Sequence, residues 1–295
     1  MSDSSITDPF ARTAEYWAEH GMDKARRAHW QSHPLVQERS ARRREGRSPV
    51  QQLAHLLPVK GGRALGLGVG SASAELELLG LGAAASYDLY DVTPQLIAAA
   101  QETAHAAGMS DRVHCVVADV NQVELPPNSY DLITFFSSLH HVDRMEHVLE
   151  QCHRALKPGG VFFASEYTGP NRFAFTPDQL ALARRIWQSL DPALRCAHPV
   201  MPVPNPLEVA AADPTESIRS EEIITLCRSY FPATHIVSED VCLTIILWYG
   251  LDHDALFETD AGYELVRWLL DMDEAFVRSG RLPTFQAELI ARKPL

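Results

Sequence analysis

Three groups of residues have types and spacing that could do chemistry. They are glycines at 66, 68 and 70, aspartates at 91 and 119, and histidines at 140 and 141. The glycines lie in Ala64-Leu65-Gly66-Leu67-Gly68-Val69-Gly70-Ser71-Ala72-Ser73, an apolar lead, a tight turn and a helix-like stretch. Glycine lets a ligand approach bare backbone, and a helix N-terminus offers unpaired N–H groups. The same stretch would serve an ordinary strand-to-helix turn. Asp91 ends the next strand pattern, where a carboxylate can accept from a ribose diol. Asp119 follows the strand after that, where it can accept from an adenine amino group. Either aspartate alone reads as a turn residue or helix cap. Glycines and aspartates in register at successive strand ends describe an adenosine-containing ligand.

His140 and His141 follow the fourth strand pattern, and imidazole suits a general base near neutral pH. They would equally cap or pack the next helix. Glu166 and Tyr167 end the fifth strand and could orient a substrate, with Glu166 as a second candidate base; a plain turn is the alternative. Tyr16 and Trp17 could close over a cofactor or form an apolar helix face. Arg219 could pair with Glu166 or an anionic substrate, or belong to a surface cap around Ser220. A metal site from His140, His141, Asp143 and His147 is disfavoured, since no second ligand cluster has metal spacing. The expectation is no metal.

The elements that must position these residues alternate strand and helix from Arg63 onward. Strands are expected at 63–67, 86–90, 113–117, 131–136 and 161–165. Helices are expected at 71–81, at 94–107 with Thr93 as cap, and at 145–156, stopped by Lys157-Pro158-Gly159-Gly160. Such repeats imply a parallel sheet covered on both faces, with ligands at the C-terminal edge. After 165 the rhythm breaks. A loop at 166–172, a helix at 178–190 and a proline-rich stretch at 196–214 suggest a substrate-covering insertion. Ser220 would cap a helix to 230. One or two strands should lie in 235–247, and the apolar run 242–251 suits a buried strand. A second inserted helix is expected at 261–277 and a final strand at 285–291. Residues 1–60 read as helices near 9–20, 35–47 and 49–57, a cap over the sheet edge.

The whole chain of 295 residues carries a net charge of −12, which argues against general nucleic-acid binding. Residues 1–60 hold 10 Lys/Arg against 7 Asp/Glu, whereas the remainder holds 16 against 31. The basic run Arg39, Arg42, Arg43, Arg44 and Arg47 reads as a solvated helix face. The 5 cysteines include no CxxC pair, so reduced thiols are expected. Met-Ser-Asp-Ser-Ser lacks a signal-peptide start, and no apolar stretch approaches the roughly 20 residues of a membrane span. A cytoplasmic protein with no membrane partner is the expectation.

In these motifs the chain resembles the class I S-adenosylmethionine-dependent methyltransferases. The resemblance is carried, across roughly residues 60–170, by Leu65-Gly66-Leu67-Gly68-Val69-Gly70, Tyr87-Asp88-Leu89-Tyr90-Asp91, Val117-Ala118-Asp119-Val120, Tyr130-Asp131-Leu132-Ile133, Ser138-Leu139-His140-His141 and Arg154-Ala155-Leu156-Lys157-Pro158-Gly159-Gly160. Outside that core it is similar to a bacterial subgroup in Tyr16-Trp17, Trp30 with His33-Pro34, Glu166-Tyr167, Gly169-Pro170-Asn171-Arg172-Phe173, and Asp213-Pro214 with Ile218-Arg219-Ser220-Glu221-Glu222. That subgroup is often found beside glycan or natural-product genes.

The resemblance implies an α/β, Rossmann-like sheet of seven strands, mostly parallel with an antiparallel last strand and helices on both faces. It implies a helical N-terminal cap (1–60) and a methyltransferase domain (61–295) with insertions at about 170–219 and 250–280 forming a lid. Gly68, Val69 and Gly70 would pass the methionine part of S-adenosylmethionine. Asp91 and Val92 would take the ribose, Asp119 and Val120 the adenine. Phe136 and Ser137 would lie under the cofactor, with Tyr16 over it. His140, His141 and Glu166 are the candidate catalytic groups; Tyr167, Arg219 and Trp30 are the candidate acceptor contacts. Phe173, Phe175 and Trp187 are further candidates to line the acceptor pocket.

The family usually has an acidic residue where Gly66 stands and a third glycine where Ala72 stands. The missing carboxylate normally helps hold the cofactor's ammonium group. The expected function is methyl transfer to a small-molecule acceptor, a natural-product or sugar intermediate, giving S-adenosylhomocysteine. The alternative is a cofactor-binding protein of the same fold that does not methylate, a sulfonium-assisted cyclase or a partner subunit. A nicotinamide dehydrogenase is disfavoured by Asp119 and the Leu-His-His run. The N-terminal helices offer either a cap for their own sheet or a homo-oligomer contact.

Overall fold

The structure, a computed structural model, describes residues 9–24, 29–58 and 60–295. The Met-Ser-Asp-Ser-Ser start lies outside the described residues. Among them, one sheet contains β1 (Gly62–Leu67), β2 (Ala84–Asp91), β3 (Val113–Val117), β4 (Tyr130–Phe136), β5 (Leu156–Tyr167), β6 (His235–Ser238) and β7 (Gln286–Arg292). The order is β3-β2-β1-β4-β5-β7-β6. The first five strands pair in parallel, and β7 runs antiparallel to both β5 and β6. The chain winds outward from β1 to β3, then returns to the other side of β1 for β4. That reversal opens a crevice at the C-terminal ends of β1 and β4.

Successive strand residues face opposite sides, so each face acquires its own core. Leu65, Leu67, Ile133, Phe135 and Phe162 pack with the helices Met145–Ala155 and Ile223–Tyr230. Ala64, Tyr87, Leu89, Leu132 and Phe163 pack with Pro49–Leu56, Ser73–Gly80 and Pro94–Ala106. A third core lies in the insertions. There Trp187, Leu247, Leu256, Leu269 and Phe285 join the helices Pro177–Ser189, Leu243–Trp248, His253–Glu258 and Asp260–Arg278. Phe175 and Trp187 belong to this core and line neither of the cavities described below.

Several local expectations need correction. The apolar run 242–251 contains the helix Leu243–Trp248, not a strand. A short run buried on every side has no periodicity to separate the two forms. What decides it is distant in sequence: the Asp273 carboxylate accepts from the N–H groups of Leu243 (2.8 Å) and Thr244 (2.9 Å), ending the helix where no local cap exists. Ser220 does not cap a helix; its hydroxyl donates to the Gly169 carbonyl at 2.8 Å, and the α-helix begins at Ile223. Thr93 stands at the N-cap position, but its side chain makes no cap bond. Glu166 and Tyr167 are still paired to β7, so the loop starts later than 166.

Within the basic run Arg42 stays on a solvated face, but Arg39, Arg43 and Arg44 do not. Its helix, Pro34–Arg42, lies against the acidic C-terminal part of the chain. Arg44 is only 2% exposed and donates to Glu288 at 2.8 Å and to Glu239. Arg43 pairs with Asp240 at 3.0 Å, and Arg39 with Glu274 at 2.8 Å and with Asp271. Three of the five arginines thus meet acidic groups from the other end of the chain. All five cysteines are free thiols. Among the described residues no helix is long and apolar enough to cross a membrane.

Candidate functional site

Gly68 takes φ +69°, and its N–H donates to the Tyr90 carbonyl at 2.8 Å. A Cβ there would stand 2.7 Å from the Cβ of Ser138, whose hydroxyl donates to the Leu67 carbonyl at 2.7 Å. This is close packing between two strand ends, possible only without a side chain. Gly70 differs: φ is +54°, yet a Cβ would meet nothing within 4 Å, because the position faces open space. The Gly70 N–H donates to Asp91 Oδ2 at 2.8 Å, while Asp91 Oδ1 accepts from the Thr93 N–H at 2.8 Å. Asp91 thus ties the glycine turn to the next helix and keeps lone pairs for a ligand. Burial pushes its carboxyl up, and the N–H bonds draw it back down.

Asp119 caps a single helical turn, accepting from the Asn121 N–H at 2.9 Å and from the Gln122 side chain at 2.7 Å. Gly68, Val69, Gly70, Asp91, Val92, Asp119, Val120, Phe136 and Ser137 all line one cavity of about 370 Å³. Thr13 and Trp17, on the helix Pro9–Lys24, close one side. Tyr16 is not among these walls. It lines a second cavity of about 620 Å³, which shares Trp17, Ser137 and His141 with the first. The wall of this second cavity is aromatic, with Trp30, Tyr167, Phe173, Trp248 and Tyr249, and its polar end holds His140, His141, Asp213 and Glu216.

That polar end is built around Glu166, which is fully buried. Its Oε1 accepts from the N–H groups of Ser138 (2.9 Å) and Leu139 (2.8 Å), and its Oε2 lies 2.7 Å from His140 Nδ1. His140 Nε2 faces Glu216 at 3.6 Å. Burial alone would lower the His140 pKa; Glu166, then Glu216 and Asp213, outweigh it and raise the value above the ordinary one. His141 Nδ1 lies 3.1 Å from the Thr215 hydroxyl. Asp213 accepts from Trp17 Nε1 at 2.9 Å and from the Thr13 hydroxyl at 3.2 Å. Arg172 holds this segment from behind by donating to the carbonyls of Asp213, Glu216 and Pro214. The ring nitrogens of His140 and His141 and the Glu216 carboxylate include atoms all within 4.8 Å of one another, close enough to share a proton or a cation.

The structure brings His140, His141 and Glu166 together and puts Trp30 and Tyr167 on the wall facing them. Arg219 is excluded. It donates to Glu146 (2.6 Å) and Glu222 (2.7 Å) and to the Asp143 carbonyl, lines neither cavity, and does not meet Glu166. Its partners are simply nearer. Asp143 and His147 do not join the histidine pair; His147 Nε2 lies 3.0 Å from the Val123 carbonyl. Sequence reasoning assigned no role to Thr13, Asp213, Thr215, Glu216 or Tyr249. The only signal was Asp213-Pro214 at the end of a proline-rich stretch, with no periodic element to place it.

A doubly wound sheet with a glycine turn after β1, acidic residues after β2 and β3, and β7 reversed beside β5 is the Rossmann-like methyltransferase fold. Residues 64–164 match the family model described as a methyltransferase domain. Over 78 residues the chain is 31% identical to the ubiquinone/menaquinone biosynthesis C-methyltransferase UbiE of Cereibacter sphaeroides, covering 26% of this chain and 31% of that protein. The chain thus spans about a third of the length of the curated relatives it matches. Geranyl diphosphate C-methyltransferase from Streptomyces coelicolor superposes with a TM-score of 0.57, at 14% identity, over 99% of this chain and 100% of that one. Phosphoethanolamine N-methyltransferase 2 of Haemonchus contortus gives 0.53 at 17% identity, over 82% and 51%. The [4+2]-cyclase SpnF gives 0.50 at 17% identity, over 83% and 80%. At these identities the structures show a shared fold.

Proposed function

We propose that the chain is a bacterial, cytoplasmic S-adenosylmethionine-dependent methyltransferase acting on a small-molecule acceptor, a natural-product or sugar intermediate. The observation that carries this is the adjacency of the two cavities across Trp17, Ser137 and His141. One has the glycine turn and paired aspartates; the other has an aromatic wall and a buried His–Glu pair. The first fits the cofactor by its shape, since the space that a side chain at 70 would fill is open. When bound, S-adenosylmethionine supplies a methyl group on a sulfonium and leaves as S-adenosylhomocysteine.

In this reading Gly68, Val69 and Gly70 hold the methionine portion. Asp91 and Val92 take the ribose, and Asp119 and Val120 the adenine, above Phe136 and Ser137. Trp30, Tyr167 and Tyr16 orient the acceptor, whose alignment supplies much of the rate. Glu166 fixes His140 through Nδ1 and leaves Nε2 to take the acceptor's proton, with Glu216 steadying the imidazolium. Residues 1–60 act as a cap, and the insertions at about 170–219 and 250–280 roof the acceptor. Calorimetry on ligand-stripped protein should show micromolar binding of S-adenosylmethionine and S-adenosylhomocysteine. Release of S-adenosylhomocysteine is then screened against a panel of hydroxyl, amine and carbon acceptors. No binding of either ligand would overturn the assignment.

The second reading is a cofactor-binding protein that does not methylate, and the absence of a carboxylate at Gly66 favours it. SpnF, a [4+2]-cyclase, shares the fold. Tight cofactor binding without product release across the whole panel would select this reading.

A further inference from the structure

Glu75 lies in the first turn of the helix Ser73–Gly80 that follows the glycine turn. It is 2% exposed, unusual for a glutamate so near a helix start. Its side chain folds back toward β1. A Cβ built on Gly66 would stand 2.6 Å from Val69 Cγ1, 3.1 Å from Glu75 Cγ and 3.2 Å from Glu75 Oε1. The carboxyl therefore lies, with Val69, in the space that a side chain borne by residue 66 would enter. A glycine at 66 lets a glutamate from the neighbouring helix pack there.

The surroundings are those of a carboxyl waiting for a cation. Burial pushes Glu75 up to about 8, its own backbone N–H draws it down, and the Asp91 charge raises it further. Tyr87, which also faces it, is fully buried with its hydroxyl 2.9 Å from the Thr134 hydroxyl. A buried, uncompensated carboxylate is costly, so the proton stays on near neutral pH. An ammonium group arriving at the adjacent turn reverses this balance.

We infer that Glu75 is the relocated carboxylate of the cofactor site, ionising when the ligand's amino-acid ammonium settles over the Gly68–Gly70 turn. The inference rests on the cofactor reading above. The proton leaves Glu75 for solvent, and the resulting carboxylate attracts the ammonium across the turn. Glu75 acts from behind the turn that lines the cavity and is a positioning residue. It also answers the departure at Gly66: the charge is present, but carried by the helix.

The test is titration calorimetry on the full chain with two probes, S-adenosylhomocysteine and 5′-methylthioadenosine, which lacks the amino-acid portion. Each is run below pH 8 in buffers of different ionisation enthalpy, which counts protons. Wild type should release a proton with S-adenosylhomocysteine and none with methylthioadenosine. Glu75→Gln should bind S-adenosylhomocysteine at least tenfold more weakly, keep its methylthioadenosine affinity and release no proton. Gly66→Asp combined with Glu75→Ala should restore the discrimination. Equal loss for both probes, or no loss for either, would make Glu75 a structural residue and overturn the inference. Should Glu75→Gln not fold, the wild-type proton count decides alone, and equal release with both probes would overturn it. Wild type that binds neither probe would refute the cofactor reading itself, a separate outcome.

Discussion

Alanine at 68 and alanine at 70 should fail in different ways, because the two glycines do different work. Both sit at positive φ, where an L side chain costs about 1–2 kcal/mol. The stiffer unfolded chain returns about 0.4–1 kcal/mol of that. For Gly70→Ala nothing further is lost, since the new methyl meets nothing within 4 Å. Its stability should fall by about 1.6 kcal/mol or less. For Gly68→Ala the methyl meets Ser138 Cβ at 2.7 Å and must displace a side chain bonded to Leu67. Overpacking of this kind adds about 1–3 kcal/mol, for a total of about 1–5 kcal/mol. Urea denaturation measures both. Calorimetry with S-adenosylhomocysteine should then reverse the order of interest. Gly70→Ala places its methyl where the ligand would lie and should lose at least tenfold in affinity despite its near-normal stability. If Gly70→Ala binds as wild type does, the turn does not cradle the ligand. If the two variants are equally stable, the packing argument at Ser138 is wrong.

Glu166→Gln removes the charge and the acceptor that hold the His140 pKa up, while the two N–H groups of Ser138 and Leu139 keep an oxygen partner. The rising limb of the pH–rate profile should move to lower pH and the plateau should drop; an unmoved limb would remove His140 from the role of base. Arg44→Ala strands the buried Glu288 carboxylate and should cost about 3–5 kcal/mol in chemical denaturation. Burial holds the Glu288 carboxyl above its ordinary range even beside Arg44, so the deficit should shrink as pH falls and the stranded group takes a proton. A deficit independent of pH would point to lost packing alone. Arg219→Ala should leave the KM for the acceptor unchanged and stability within about 1 kcal/mol, because its carboxylate partners are largely exposed; a large rise in KM would return Arg219 to the acceptor site.

The half of the site that was legible in the sequence is the half built by regular elements. Gly68, Asp91 and Asp119 could be placed because each ends a strand of a repeating unit, and parallel topology carries all such ends to one edge. His140, His141 and Glu166 could be placed by the same rule, although not the bond between them. Asp213, Thr215 and Glu216 could not, since they lie in a segment fixed by Arg172 and by bonds from Thr13 and Trp17, about 200 residues away. The Leu243–Trp248 helix was misread because Asp273, which caps it, is remote in sequence. Arg39, Arg43 and Arg44 were misread as solvated because their acidic partners sit in the far third of the chain. Glu75 was hidden as one acidic residue in a helix start, where such residues are common, and only its burial against Gly66 marks it.

Of the residues lining the smaller cavity, all but Thr13, Trp17 and Thr215 fall within 64–164, the span that matches the methyltransferase domain. Of those lining the larger cavity, only Ser137, His140 and His141 do. The walls of the two cavities thus come mostly from separate stretches of chain and share Trp17, Ser137 and His141. On the proposed function, acceptor preference can drift, by insertion or by recombination of the flanking stretches, without disturbing the nucleoside end. Grafting residues 1–60 and 170–280 of one such protein onto the sheet of another should therefore transplant acceptor choice while leaving the nucleoside end intact, provided the shared wall residues and the Arg44–Glu288 pair travel together.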